Sequence, residues 1–474
     1  MVKNLTRGTP ARLILGFALP LLIGNLFQQL YLLADTVILG RILGVHALAA
    51  VGSTGSIMFF IIGFIQSMTA GFSIVTAQHF GACRRADVRR SFCVTISLSL
   101  SLGLILTITG VALARPILEL LETPPEIIDA AHSYISVIYT GIGSAVLFNL
   151  LSNTLLALGD SRPPLIFLVV SNLFSVLLDF VFILGLSWGV AGAAWATVSA
   201  QMTSAVLCVL YIRRRIPALR LRRKDWHLTW TDLRKSMRIG LPMGFQASII
   251  ALGAIILQWV LNTLGAISVA AFTVARTIDL VAILPMMSFG LAMATYVGQN
   301  YGARDIPRIR LGVLHCCAMS LTFSVCIGLV NIFGGYSIVT FFIGADKHEV
   351  ASLAQIFLTV SGCAYWILSL LFIFRFTLQG LGQSLVPTVA GILELGMRAL
   401  AAIFLARHFG FLGACIANPL AWLGACVPLA WAYRRTVRKW DSQAEREKTA
   451  RPTLAFPPEE DKDQKKATQD QKKA

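Results

Sequence analysis

Apolar stretches long enough to cross a bilayer recur along almost the whole chain. The first six lie near residues 12–38, 48–78, 91–114, 131–158, 163–186 and 189–212. Six more follow near 237–261, 267–298, 311–333, 351–378, 386–406 and 411–433. A spanning helix needs about 20 predominantly apolar residues, so the pattern predicts about twelve transmembrane helices. Membrane β-strands are excluded, because a barrel strand reads as about ten alternating residues and these runs are longer and unalternated. With 56% of its 474 residues hydrophobic and 13% charged, the chain reads as an all-α polytopic membrane protein.

The net charge of +17 follows the predicted topology and does not mark a nucleic-acid partner. Lys3, Arg7 and Arg12 precede or open the first helix, and Arg84, Arg85, Arg89 and Arg90 follow the second. Arg213–Arg215 and Arg220–Lys224 follow the sixth, Arg304, Arg308 and Arg310 the eighth, and Arg434, Arg435, Arg438 and Lys439 the twelfth. The positive-inside rule therefore places even-numbered helix ends and both termini in the cytoplasm, within a multi-pass protein of the cell membrane. "LELLETPPEIID", Leu118 to Asp129, carries only acidic charge and belongs outside. The first run lacks the small-residue cleavage motif of a signal peptide, so helix one is expected to stay. The nine cysteines fall mostly within apolar helices and show no C-x-x-C spacing, and His46, His79 and His315 lack metal-ligand spacing, so no metal site or cofactor is indicated.

An internal repeat divides the chain. "LGVHALAAVGST" from Leu43 and "LGAISVAAFTVA" from Leu264 align at an offset of 221, which also superposes "QHFGA" from Gln78 on "QNYGA" from Gln299. "LGDSRPP" from Leu158 pairs with "LGQSLVP" from Leu381, and "GVAGAAWA" from Gly189 with "GFLGACIA" from Gly410. Each unit holds about six helices, an even number, so both insert in one orientation and are related by a pseudo-two-fold along the membrane normal. The expected organisation is a six-helix lobe over 1–212, a basic cytoplasmic connector over 213–236, a second six-helix lobe over 237–440, and a disordered tail over 441–474 rich in Lys, Glu, Asp and Gln.

Charges that occur in only one half stand out from this shared scaffold. Asp35 and Asp179 align with apolar stretches of the second half and have no basic residue at a facing position on their own helices. An ionised Asp at the centre of a transmembrane helix costs roughly 2.5–3.5 kcal/mol, so each is protonated, shielded by polar neighbours, or bound to a cation. Both fall one to two turns from the outer helix end; Thr197 comes to a similar depth, and Ser175 lies one turn below Asp179. In the second half, Arg276 and Asp279 are three apart, and Glu394 and Arg398 four apart. Both spacings allow a structural ion pair, and a role in moving substrate or ion stays open. Arg375 is expected to snorkel toward the cytoplasmic end of helix ten. Pro20 removes a backbone hydrogen bond from helix one, which reads either as a static kink or as a site of bending during gating.

"LFQQLYLLADTVILGRILG", "GFSIVTAQHFGA", "LALGDSRPP", "GVAGAAWATV" and "LQGLGQS", in this order and with this duplication, together resemble the multidrug and toxic compound extrusion (MATE) transporters over nearly all of residues 10–435. The resemblance implies an antiporter that expels cationic, amphipathic compounds by alternating access, driven by inward H⁺ or Na⁺, and not an enzyme. It also implies that Asp35, Asp179 and Thr197 belong to a first-lobe cation site. Ser175 stands where relatives often carry Asn, and Asn172 is a substitute one turn away. The NorM-like branch has a glutamate in helix seven, whereas "MGFQASIIALGAIIL" after Pro242 has no acid, which favours H⁺. No nucleophile or phosphate loop is evident. A monomer in the bilayer with a small cationic substrate is the expected assembly. A flippase of lipid-linked glycans from the same superfamily, which calls for a cationic central cavity, and an uncoupled channel or receptor are the alternatives.

Overall fold

A computed structural model of the protein describes residues 4–344 and 346–450. The first half of the chain comprises α1 (Pro10–Ile42), α2 (Gly44–Gly81), α3 (Arg85–Leu120), α4 (Pro125–Thr140), α5 (Ile142–Ala157), α6 (Arg162–Asp179) and α7 (Gly189–Arg215). The second comprises α8 (Trp230–Thr263), α9 (Ala266–Gly302), α10 (Ile306–Ile343), α11 (His348–Gly380) and α12 (Leu385–Ala450). No strand occurs among the described residues.

Ten of these helices are by themselves long and apolar enough to span a membrane; α4 and α5, bent by 46° across Gly141, together supply another. Gly410 divides α12 with a left-handed φ of 57° and ψ of −133°, a conformation that strains any residue with a Cβ. Each side of that break exceeds the about 20 residues a crossing requires, giving twelve crossings among the described residues. Proline occupies the first turn of α1, α4, α6 and α10, where its missing N–H has no helical acceptor to lose. Large apolar side chains such as Phe333 and Phe341 stay more than 80% exposed on the outside of the bundle, as lipid-facing residues do.

The connector between α7 and α8 is anchored. Asp225 accepts from the Arg222 backbone N–H at 2.8 Å and from Arg89 Nε of α3 at 3.1 Å, and Arg90 Nε meets Asp232 at 2.7 Å. From Ala432 onward the chain is a separate unit. Within the tail expected to be disordered from Asp441, α12 stays helical as far as Ala450; residues 451–474 lie outside the described residues.

The pseudo-two-fold is visible in reciprocal contacts at the ends of α2 and α9. Gln78 Nε2 donates to the Gly380 carbonyl at 3.0 Å, and its repeat partner Gln299 donates through Nε2 to the Ala157 carbonyl at 2.9 Å. Gly81 packs on the backbone of Gln299 while Gly302 packs on that of Gln78, so closely that a Cβ at either glycine would collide with the facing carbonyl. Residue i touching j while the counterpart of i touches the counterpart of j is what a two-fold requires. The N-terminal segment caps this junction: Leu5 N–H donates to Gln299 Oε1 at 2.9 Å, and Arg308 Nη2 donates to the Gly8 carbonyl at 2.6 Å. These hydrogen bonds gather at the end of the bundle that carries Arg84, Arg85 and Arg304, called the basic side below. Farther along, Asn25 Nδ2 of α1 reaches Ser288 Oγ of α9 at 3.3 Å.

Candidate functional site

The first half builds its polar site from two helices in one register. α1 presents Gln28, Tyr31 and Asp35, and α6 presents Asn172, Ser175 and Asp179. Both triplets are spaced i, i+3, i+7, which places all three side chains on one helical face. Asn172 Nδ2 donates to Gln28 Oε1 at 3.3 Å, and the Tyr31 and Ser175 hydroxyls are 2.9 Å apart. On the third rung the Asp35 and Asp179 carboxyls face each other within hydrogen-bonding reach. Thr197 of α7 closes the site from the side, 3.4 Å from the Tyr31 hydroxyl. Nearby, Tyr134 of α4 is buried among Leu39, Ile138 and Ile183.

Apart from each other, Asp35 Oδ1 and both oxygens of Asp179 are buried with no hydrogen-bond partner. Asp179 is fully buried and ends α6; a π-helical turn, Phe180–Gly185, follows at once. Such turns widen the helix and re-aim side chains, and they occur frequently at functional sites. Two opposed carboxyls out of water cannot both carry charge without a counter-ion. The arrangement is suited to hold a proton or a small cation between them. All five first-half residues singled out in the sequence, Asp35, Asp179, Thr197, Ser175 and Asn172, therefore meet in one place. Gln28 and Tyr31 escaped the sequence reading; their signal was the repeated i, i+3, i+7 spacing, invisible until α1 is known to lie against α6.

The second-half charges are arranged differently from the sequence expectation. Glu394 and Arg398 do pair, at 2.8 Å, but Arg375 Nη2 takes the other Glu394 oxygen at 2.6 Å. Arg375 is 5% exposed and does not snorkel: a partner on α12 holds the guanidinium inside the bundle. Arg276 and Asp279 share a helical face yet form no ion pair. Tyr365 of α11 donates to Asp279 Oδ1 at 2.7 Å and itself accepts from Asn331 Nδ2 at 2.9 Å, while the Arg276 side chain lines an adjacent cavity of about 410 Å³.

Comparison with known proteins assigns this architecture. The MatE family model matches twice, over residues 20–181 and 242–404. The chain belongs to the MatE family. Both copies of the repeat are thereby members of one domain type, at the spacing of the internal duplication. The probable multidrug resistance protein YoeA of Bacillus subtilis is 26% identical over 85% of this MatE chain and 89% of its own length. The probable multidrug resistance protein NorM of Thermotoga maritima is 23% identical over 91% and 93%. A solved outward-facing conformation of a multidrug resistance MATE transporter superposes with a TM-score of 0.85 at 23% identity, covering 91% of this chain and 97% of that one. A MATE structure in a bent conformation gives 0.86 at 23% identity, over 93% and 98%. This MatE protein is a multi-pass membrane transporter of a multidrug efflux family, and not an enzyme.

Proposed function

We propose that the protein is a secondary active antiporter that exports cationic, amphipathic compounds in exchange for H⁺, or else Na⁺, by alternating access. The observation that carries this reading is the Asp35–Asp179 pair: two carboxyls facing each other in the first half with no basic side chain among their partners. Protonation from outside discharges the pair and releases a bound cation, and deprotonation toward the inside prepares it for the next. The charge distribution of the sequence puts the basic side and both termini in the cytoplasm, so the junction of α2 and α9 acts as the inner gate and is shut in this conformation.

α1 links ion and gate in this scheme. It carries Asp35 on the face turned to α6 and Asn25 on the face turned to α9, ten residues and about 15 Å apart along the axis. Pro20, buried near the α9 contact, leaves one backbone carbonyl without its helical donor, and α1 bends there at low cost. The lobes over 1–212 and 237–440 are the bodies that rock about this junction. The absence of acid after Pro242 favours protons over sodium.

Uptake of a fluorescent cationic compound into inverted vesicles containing the purified protein, under an imposed pH or sodium gradient, tests the reading. Gradient-driven accumulation that stops when the gradient is collapsed supports it. Flux indifferent to both gradients overturns it in favour of an uncoupled channel.

A further inference from the structure

The cavity of the second half contains more cation than acid. Three guanidiniums, those of Arg276, Arg375 and Arg398, line it together with two acids, Asp279 and Glu394. Glu394 is fully used, giving one oxygen to Arg375 and the other to Arg398. Asp279 is engaged by the Tyr365 hydroxyl. Arg276 makes no hydrogen bond or ion pair among the described residues. Arg375 and Arg398, each at least nine-tenths buried, keep an Nε–H with no acceptor. Asp279 acts on Arg276 without a close ion pair, and three guanidiniums against two acids leave the low-dielectric wall with an excess positive charge that a bound anion offsets.

The remaining walls indicate what carries that anion. Phe59 of α2, Phe272, Phe372 and Trp422 supply aromatic surface, and a volume of about 410 Å³ accommodates a fused or linked aromatic body. A planar carboxylate matches the fork of a guanidinium in two parallel hydrogen bonds, which a spherical inorganic ion cannot make. We propose that this second-half cavity is a binding site for apolar compounds bearing a carboxylate, with Arg276 as the anchoring residue and the Arg375–Glu394–Arg398 cluster as its supporting wall. The site lies apart from the Asp35–Asp179 pair and adds acidic and zwitterionic amphiphiles to the compounds the transporter handles. Phe59 comes from the first half, so occupancy depends on how the halves meet.

Equilibrium binding of radiolabelled 1-naphthoate to the full-length protein in phosphatidylcholine nanodiscs tests this, with empty nanodiscs subtracted. Neutral 1-naphthalenemethanol and cationic 1-naphthylmethylamine serve as competitors. The expected result is saturable naphthoate binding at least tenfold tighter than either competitor, weakened tenfold or more in Arg276→Gln and only partly restored in Arg276→Lys, which keeps the charge but not the fork. Asp35→Asn should bind naphthoate normally, so failure of the antiport reading and failure of this one are distinguishable. Equal affinity for the neutral alcohol, displacement by chloride as effective as by unlabelled naphthoate, or full binding by an Arg276→Gln protein of unchanged melting temperature overturns the proposal.

Discussion

The hydroxyls of Tyr31 and Ser175 meet at 2.9 Å across 144 positions of sequence. The same separation joins Gln28 to Asn172 on the rung below and Asp35 to Asp179 on the rung above. A constant separation along three rungs means that α1 and α6 run in the same direction side by side, without slippage, over the two turns that end at the carboxyl pair. Tyr31 thereby fixes the depth of Asp35 relative to Asp179 and Thr197, and small changes there should be felt at the acids.

Asp35→Asn retains the size and hydrogen-bonding capacity of the side chain but cannot titrate. This variant should insert and fold, bind cationic substrate, and lose gradient-driven export; Asp179→Asn should be impaired as well. Vesicle transport normalised to protein abundance checks it. Wild-type export by the Asp35→Asn protein would make the carboxyl structural.

Tyr31→Phe removes the hydroxyl between Ser175 and Thr197 and leaves the ring. The loss should be about 1 kcal/mol of stability, the usual net contribution of one hydrogen bond. A double-mutant cycle with Ser175→Ala should show coupling of similar size, whereas a cycle pairing Tyr31→Phe with Ser369→Ala, in the other half, should be additive. Thermal denaturation in detergent measures both cycles.

Gly81→Ala and Gly302→Ala each drive a Cβ into the backbone of the repeat-related helix. Because the contacts are reciprocal, the two variants should behave alike. Each should weaken the α2–α9 junction by about 1–3 kcal/mol and raise the labelling of a cysteine introduced on the basic side. A shift confined to one of them would contradict the two-fold arrangement of the junction.

Glu394→Gln strips the common acid from Arg375 and Arg398 while retaining the volume. Removing one member of a buried ionic cluster typically costs about 3–5 kcal/mol, so the melting temperature should fall well below that of Asp35→Asn. Gly253→Ala approaches the same cluster from α8, since a Cβ there would lie 2.6 Å from Arg398 Nη1. It should displace the guanidinium and lower stability less, because a long side chain can give way. Unchanged melting in Glu394→Gln would show that the cluster carries no net stabilisation.

The membrane class, the twelve crossings and the duplication were legible in the sequence because each is a property of local composition or of self-similarity. A span needs only length and apolarity, and an even number of helices per repeat dictates the direction of the two-fold. The isolation of Asp35 and Asp179 was legible too, since each lacks a cation at i±3 or i±4 on its own helix. Pairing between helices was not legible. Arg375 looked like a snorkelling residue because its partner, Glu394, sits on another helix, and local spacing offered Arg276 to Asp279 although Tyr365 of α11 took that acid. Only the packing of α1 against α6 set Gln28 and Tyr31 into the carboxyl site, and only the meeting of α9 and α11 gave Asp279 to Tyr365 and left Arg276 without a close ion pair. Helical periodicity states which side chains share a face, whereas the element that face meets depends on contacts between residues far apart in the chain, and it is those contacts that decide which buried charges are neutralised.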